Sequence, residues 1–119
     1  MGITPKQESE LDRLYQTTLL AKSGERSLLG GRATVVHHFK AGRYNSIRWF
    51  VPIGIPLTQT QHTNIHGSGA KFLETRIYKL LGKKWLGSVE RQRNIIIKTS
   101  DLDYEKIKAH ILGERENYV

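Results

Sequence analysis

Apolar residues along this 119-residue chain change period several times, and each change marks an element. Over residues 4–21 (TPKQESELDRLYQTTLLA), Leu11, Leu14, Tyr15 and Leu19 recur at helical spacing. Thr4 can cap that helix and Pro5 suits its first position. Glu8 and Glu10 meet the positive end of its dipole. Residues 22–32 carry three glycines and read as a loop. The β-branched run RATVVHHF (32–39) reads as a strand. After the turn-rich KAGRYNS, residues 47–57 (IRWFVPIGIPL) read as a second extended segment, which Pro52, Gly54 and Pro56 confine to an edge or an irregular path. Thr58 with Gln61 three residues on is a capping-box signature, so a short helix is predicted over Thr58–His66, stopped by Gly67 and Gly69.

A second helix is predicted over residues 70–82, with Phe72, Leu73, Ile77, Leu80 and Leu81 on its apolar face. Residues 83–93 continue helical after a break at Gly82. NIIIKT (94–99) reads as a short strand. Ser100 or Asp101 would cap a last helix over residues 102–112. Trp49, next to Phe50 and Val51, reads as core, as do Trp85 and Leu86. His110 stands alone on the last helix and reads as incidental.

The charge changes this picture from a small fold to a small fold with a partner. The net charge is +8, but residues 22–98 hold 14 basic and 3 acidic side chains, while both ends are mildly acidic. A basic block of this kind attracts polyanions, DNA or RNA foremost. The chain has no cysteine, which excludes disulfides and thiolate metal sites. No apolar run approaches the roughly 20 residues of a membrane span, and the N-terminus lacks the form of a secretory signal. The expectation is a cytoplasmic protein with no membrane partner.

Four of the five histidines fall within 30 residues. His62 and His66, four apart on a predicted helix, share one face, as two ligands of one divalent ion must. His37 and His38 close the first strand. Three neutral imidazoles can hold an ion and leave positions open, and a fourth can take a proton from water. Adjacent strand residues point to opposite faces. For His37 and His38 to share a site, the strand would have to bulge or the cleft would have to wrap its end.

These segments carry a resemblance. VVHHFKAGR, then RWFVPIGIPL, then QHTNIHGSGAKFLETRIYKLLGKKWL is similar to the ββα-metal (His-Me) finger of HNH endonucleases. The order and gap of the histidine pairs resemble the nuclease colicins. The wider pattern resembles small phage HNH proteins of the recombination-enhancement type. The likeness spans roughly residues 5–90, and 36–67 is its specific part. It implies an α+β fold, with a ββα-metal core at 33–69 between an N-terminal helix (1–24) and a C-terminal helical extension (70–119), in one domain. It implies His37, His62 and His66 as ligands of one divalent ion (Mg, Mn, Zn or Ni) and His38 as general base. Two departures stand out. Ile53 occupies the place of the family's middle Asn, and the cysteines that hold a structural zinc in relatives are missing, with Thr58 at one of their places and Gln61 where relatives often carry a further histidine.

The function this implies is a metal-dependent endonuclease hydrolysing phosphodiester bonds in DNA, branched or single-stranded substrates included and RNA ranking second, with a place in phage recombination or DNA processing. Lys40, Arg43, Arg48 and Lys71 would contact phosphate, and Tyr44 could stack on a base. Two rivals remain at this stage. A metallopeptidase is disfavoured because HTNIH lacks the Glu that follows the first His in such enzymes. The stronger rival is a basic nucleic-acid-binding protein with a catalytically degenerate or structural metal finger, which the loss of the Asn at Ile53 favours.

Overall fold

The computed structural model describes residues 2–39 and 44–118. In chain order they form helix α1 (Pro5–Lys22), strand β1 (Val35–His38), a 3-10 turn (Val51–Ile53), strand β2 (Gly54–Leu57), helix α2 (Gln59–Ile65), helix α3 (Ala70–Arg93), a second 3-10 turn (Thr99–Asp101) and helix α4 (Tyr104–Ile111). The class is α+β: four helices around a two-stranded antiparallel sheet. Among the described residues, no helix is long and apolar enough to cross a membrane.

Both predicted helix starts have a full capping box. Thr4 Oγ1 accepts from the Gln7 amide while Gln7 Oε1 accepts from the Thr4 amide. Thr58 and Gln61 do the same at the head of α2. Each pair satisfies two amides that the helix itself cannot.

The sheet is short and regular. Val35 pairs with Leu57, Val36 with Pro56, His37 with Ile55 and His38 with Gly54. Directly paired residues share a face, and successive residues alternate. Val36, His38, Gly54 and Pro56 therefore lie on one side, and Val35, His37, Ile55 and Leu57 on the other. The first side meets α1, whose Leu11, Tyr15 and Leu19 are buried. α1 seats so closely that a Cβ at Gly54 would stand 2.3 Å from Leu19 Cδ2 and 2.5 Å from the Tyr15 hydroxyl. The second side carries His37 toward α2. The buried apolar cluster runs from Leu11 on α1 through Trp49, Ile53 and Ile55 to Ile77, Val89, Ile107 and Ile111.

Several expectations need correction. Only the second half of residues 47–57 is strand. Residues 44–50 turn instead, with the Ile47 and Arg48 amides bonding to Tyr44 O and the Phe50 amide to Ile47 O. The turn buries the adjacent pairs Ser46–Ile47 and Trp49–Phe50, whose members an extended run would send to opposite faces. Residues 94–99 form no strand: the Asn45 side-chain amide takes the Ile97 carbonyl, and Ile96 is 92 % exposed. Asp103, not Ser100 or Asp101, caps α4, its carboxylate accepting from the Lys106 amide. On α3, Ile77 is buried and Leu73 and Leu81 partly so, but Phe72 and Leu80 face solvent. Gly82 interrupts α3 as expected, at φ 86°, ψ 176°. His110 is not incidental. It is buried, stacks on Phe50 and accepts the Val51 amide on Nε2 at 2.9 Å, tying α4 to the turn before β2.

Candidate metal centre

His37 projects from β1 onto the α2 side of the sheet. His62 lies in the last turn of α2 and His66 is its C-cap. One imidazole nitrogen from each of the three lies within 4.8 Å of the other two. His62 Nε2 and His66 Nε2 are 3.2 Å apart. The His37 ring stands edge-on to both, with centroids at 5.6 and 5.2 Å. The helical spacing of HTNIH and the strand position of His37 produce this convergence, because the tight connection Leu57–Thr58–Gln59 sets α2 directly on the sheet face that His37 occupies.

The donor set suits a divalent ion. Two nitrogens bound about 2.0–2.1 Å from a tetrahedral ion would be about 3.3–3.4 Å apart, close to the His62–His66 separation. Burial, then the neighbouring His62, His66 and His38 imidazoles, push the His37 pKa down to about 4, and burial with His66 also lowers His62. Both rings are therefore neutral at pH 7, the form that ligates. In the bare protein the 3.2 Å contact is a hydrogen bond from one imidazole to the other. With a metal, both lone pairs turn to it. His37 is buried while His66 is exposed, so one side of the cluster opens to solvent.

His38 occupies a different place from the one the shared-site expectation required. β1 has no bulge, so His38 faces α1, opposite His37. Its ring stacks on Tyr15 at 5.2 Å and 13°. Its Nε2 is 2.8 Å from the Arg48 carbonyl, an acceptor only, so Nε2 carries the proton and Nδ1 keeps the free lone pair. His38 lines a cavity of about 230 Å³ with Asp12, Tyr15, Gln16, Val36 and Arg48. It ends β1, so any site it shared with the triad would wrap the strand end.

The phosphate-binding candidates divide. Lys40 and Arg43 lie outside the described residues. Arg48 bonds Glu8 at 2.5 Å and Asp12 at 2.8 Å, both from α1. Its guanidinium braces the 44–50 turn that holds His38 and commits two of its five N–H groups to these carboxylates. Lys71 is exposed in the first turn of α3, five residues past His66. Ile53 is fully buried and its carbonyl accepts from the Phe39 amide.

Two groups of supporting residues escaped the sequence reading. Glu8, Asp12 and Tyr15 form one stripe of α1 against His38 and Arg48; their i, i+4, i+7 spacing was visible, but nothing local told which partner they met. Gln61 does more than cap α2. Its Nε2 donates to the Gly30 carbonyl and the Ser27 hydroxyl bonds its Oε1, so the 23–34 loop is fastened to the helix bearing His62 and His66. No family model, curated protein or solved structure matches the chain.

Proposed function

We propose that this protein is a metal-dependent phosphodiesterase of the HNH type acting on DNA. The observation that carries the reading is the convergence of His37, from a strand, with His62 and His66, from a helix well separated in sequence, to within one coordination sphere. Three histidines with open positions are the donor pattern of catalytic rather than closed structural sites. A divalent ion held there would supply Lewis-acid stabilisation to a phosphodiester under attack.

The chain's own residues have separate tasks in this reading. His37, His62 and His66 present imidazole nitrogens to the ion. His38, with Nε2 held by the Arg48 carbonyl, offers Nδ1 to take a proton from water at the end of β1. Tyr15 fixes the plane of that ring. Arg48, clamped by Glu8 and Asp12, keeps the carbonyl in place. The basic middle of the chain draws the polyanion in.

The second reading is a binding protein whose metal finger has lost catalysis. The fully buried Ile53 favours it, because no polar side chain is offered there. Nicking of supercoiled plasmid by purified protein, with Mg, Mn, Ni or Zn supplied in turn, separates the two. The enzyme reading expects metal-dependent nicking that His38→Ala lowers by roughly 10²–10⁴ while metal and DNA are still bound. No cleavage by wild type with any ion leaves the binding-protein reading standing.

A further inference from the structure

The first three turns of α3 present a face that the core does not use. Phe72 is 68 % exposed and Leu80 56 % exposed. Lys71, Arg76 and Lys79 are exposed beside them. At 100° per residue these five side chains occupy one half of the helix circumference, with Arg76 between Phe72 and Leu80 and Lys79 between Lys71 and Phe72. Ile77 and Leu73 hold the opposite half against the protein. Among the described residues the ion pairs are Arg32–Glu25 and Arg48 with Glu8 and Asp12, so none of the three α3 cations is spent on a protein carboxylate. From residue 70 to 84 the chain carries Lys71, Arg76, Lys79, Lys83 and Lys84 against Glu74 alone. The face begins five residues after His66.

We propose that this face of α3 binds a single-stranded segment of nucleic acid, with Phe72 stacking on an unpaired base and Lys71, Arg76 and Lys79 meeting the flanking phosphates. Charge decides the class of partner: a run of unpaired cations calls for a polyanion. The ring decides the form. An exposed aromatic among cations is the platform on which bases stack, and a base inside a duplex has no free face to offer. Lys71 and Lys79 are about 12 Å apart along the helix axis, a span for two or three nucleotides of an extended strand. An anionic membrane fits less well. A helix lying on lipid presents a continuous apolar stripe, and here Arg76 separates Phe72 from Leu80, the two exposed large apolar residues of this face. The proposal deepens the nuclease reading by naming its substrate form, and rests on it for the link to the histidine centre.

Fluorescence anisotropy of the full-length chain with a labelled 15-nucleotide single strand, and with a blunt duplex of the same sequence, tests it. EDTA is present so that no cleavage occurs, and circular dichroism checks that each variant is folded. Phe72→Ala is expected to weaken single-strand binding about 10-fold or more, the size of one lost stack, and to leave duplex binding within about twofold. Lys79→Glu is expected to weaken both and to flatten the dependence of log K on log salt. Single-strand affinity unchanged in Phe72→Ala overturns the proposal. So does an equal loss on duplex, which would make Phe72 a wedge. A third overturning result is a Phe72-dependent affinity for phosphatidylserine vesicles with no effect on oligonucleotide. Metal-dependent cleavage by wild type, read separately, keeps the two claims apart. Cleavage intact with an insensitive Phe72 sinks the surface alone. Absent cleavage with a sensitive Phe72 sinks the nuclease reading alone.

Discussion

Gly54→Ala is the sharpest test of how α1 seats on the sheet. Gly54 has φ −82° and ψ 122°, ordinary extended backbone that alanine adopts freely. On backbone grounds the substitution should therefore stabilise by about 0.4–1 kcal/mol, through the unfolded chain. Packing argues the reverse. The new methyl would stand 2.3 Å from Leu19 Cδ2, 2.5 Å from the Tyr15 hydroxyl and 3.0 Å from Val36 Cγ1. Leu19 and Tyr15 are 4 % and 2 % exposed, so neither can swing into solvent. Overpacking of this kind costs about 1–3 kcal/mol. Displacing the Tyr15 hydroxyl also breaks its 2.8 Å bond to the Phe50 carbonyl, about 1 kcal/mol more. The expected net is a loss of about 2 kcal/mol, or a melting temperature lower by roughly 6–10 °C for a chain of this size. Thermal melts followed by circular dichroism read it. Because Tyr15 also stacks on His38, the variant should lose cleavage more steeply than it loses fold. Tyr15→Phe removes the nearer polar contact, so Gly54→Ala should cost less in that background, a coupling that a double-mutant cycle measures. A Gly54→Ala protein as stable as wild type, or more so, would refute the close seating of α1 and with it the placement of His38.

Asp12→Ala should cost at least about 1 kcal/mol more than Glu8→Gln in chemical denaturation, since Asp12 accepts from the indole N–H of fully buried Trp49 as well as from Arg48, whereas the half-exposed Glu8–Arg48 pair contributes no more than about 1 kcal/mol. Equal losses would contradict the role given to Asp12. Burial depresses the pKa of His110, so the unfolded chain takes up its proton first. Its contribution is complete above the ordinary value near 6.5 and is lost as pH falls from there through the folded-state value. Protonation would also break the Val51 amide bond to Nε2. The urea midpoint should therefore fall between pH 7.5 and 5.5, and fall less in His110→Gln; identical slopes would remove His110 as a cause. Ile53→Asn, which would introduce the residue type HNH endonucleases carry at the corresponding place, should lose about 3 kcal/mol or more, because it puts an amide into a fully buried apolar site. A stable, more active Ile53→Asn protein would show that the turn before β2 can reopen.

What was legible in the sequence followed from local rules. The Thr4 cap, the Thr58–Gln61 capping box, the Gly82 break and the spacing of His62 and His66 depend on residues within one or two turns of each other, and they appear as read. The face of His38 was legible too. Strand alternation puts it with Val36, and the bulge considered for bringing it beside His37 is absent. The turn at 44–50 was not legible, because distant groups hold it. Tyr118 donates to the Asn45 carbonyl, Gln92 to the Ser46 carbonyl, and Asn45 itself reaches Ile97. Those same bonds leave 94–97 without a partner strand, whatever the propensity of three successive isoleucines. The apolar face assigned to α3 was too wide for a similar reason. Over the first turns of α3 the core beneath takes Leu73, Ile77 and Leu81, and Phe72 and Leu80 are left to solvent.

The account stands or falls on whether the three imidazoles bind one ion. X-ray absorption at the edge of Zn or Ni, on protein stripped with chelator and reloaded with one equivalent, reads the ligand set directly. The account expects one ion per chain with three imidazole nitrogens at about 2.0–2.1 Å. His38→Ala should leave that spectrum unchanged, and His37→Ala and His62→Ala should each remove one imidazole or abolish loading. An ion bound by fewer than three imidazoles, or loading indifferent to His37 and His62, would contradict it.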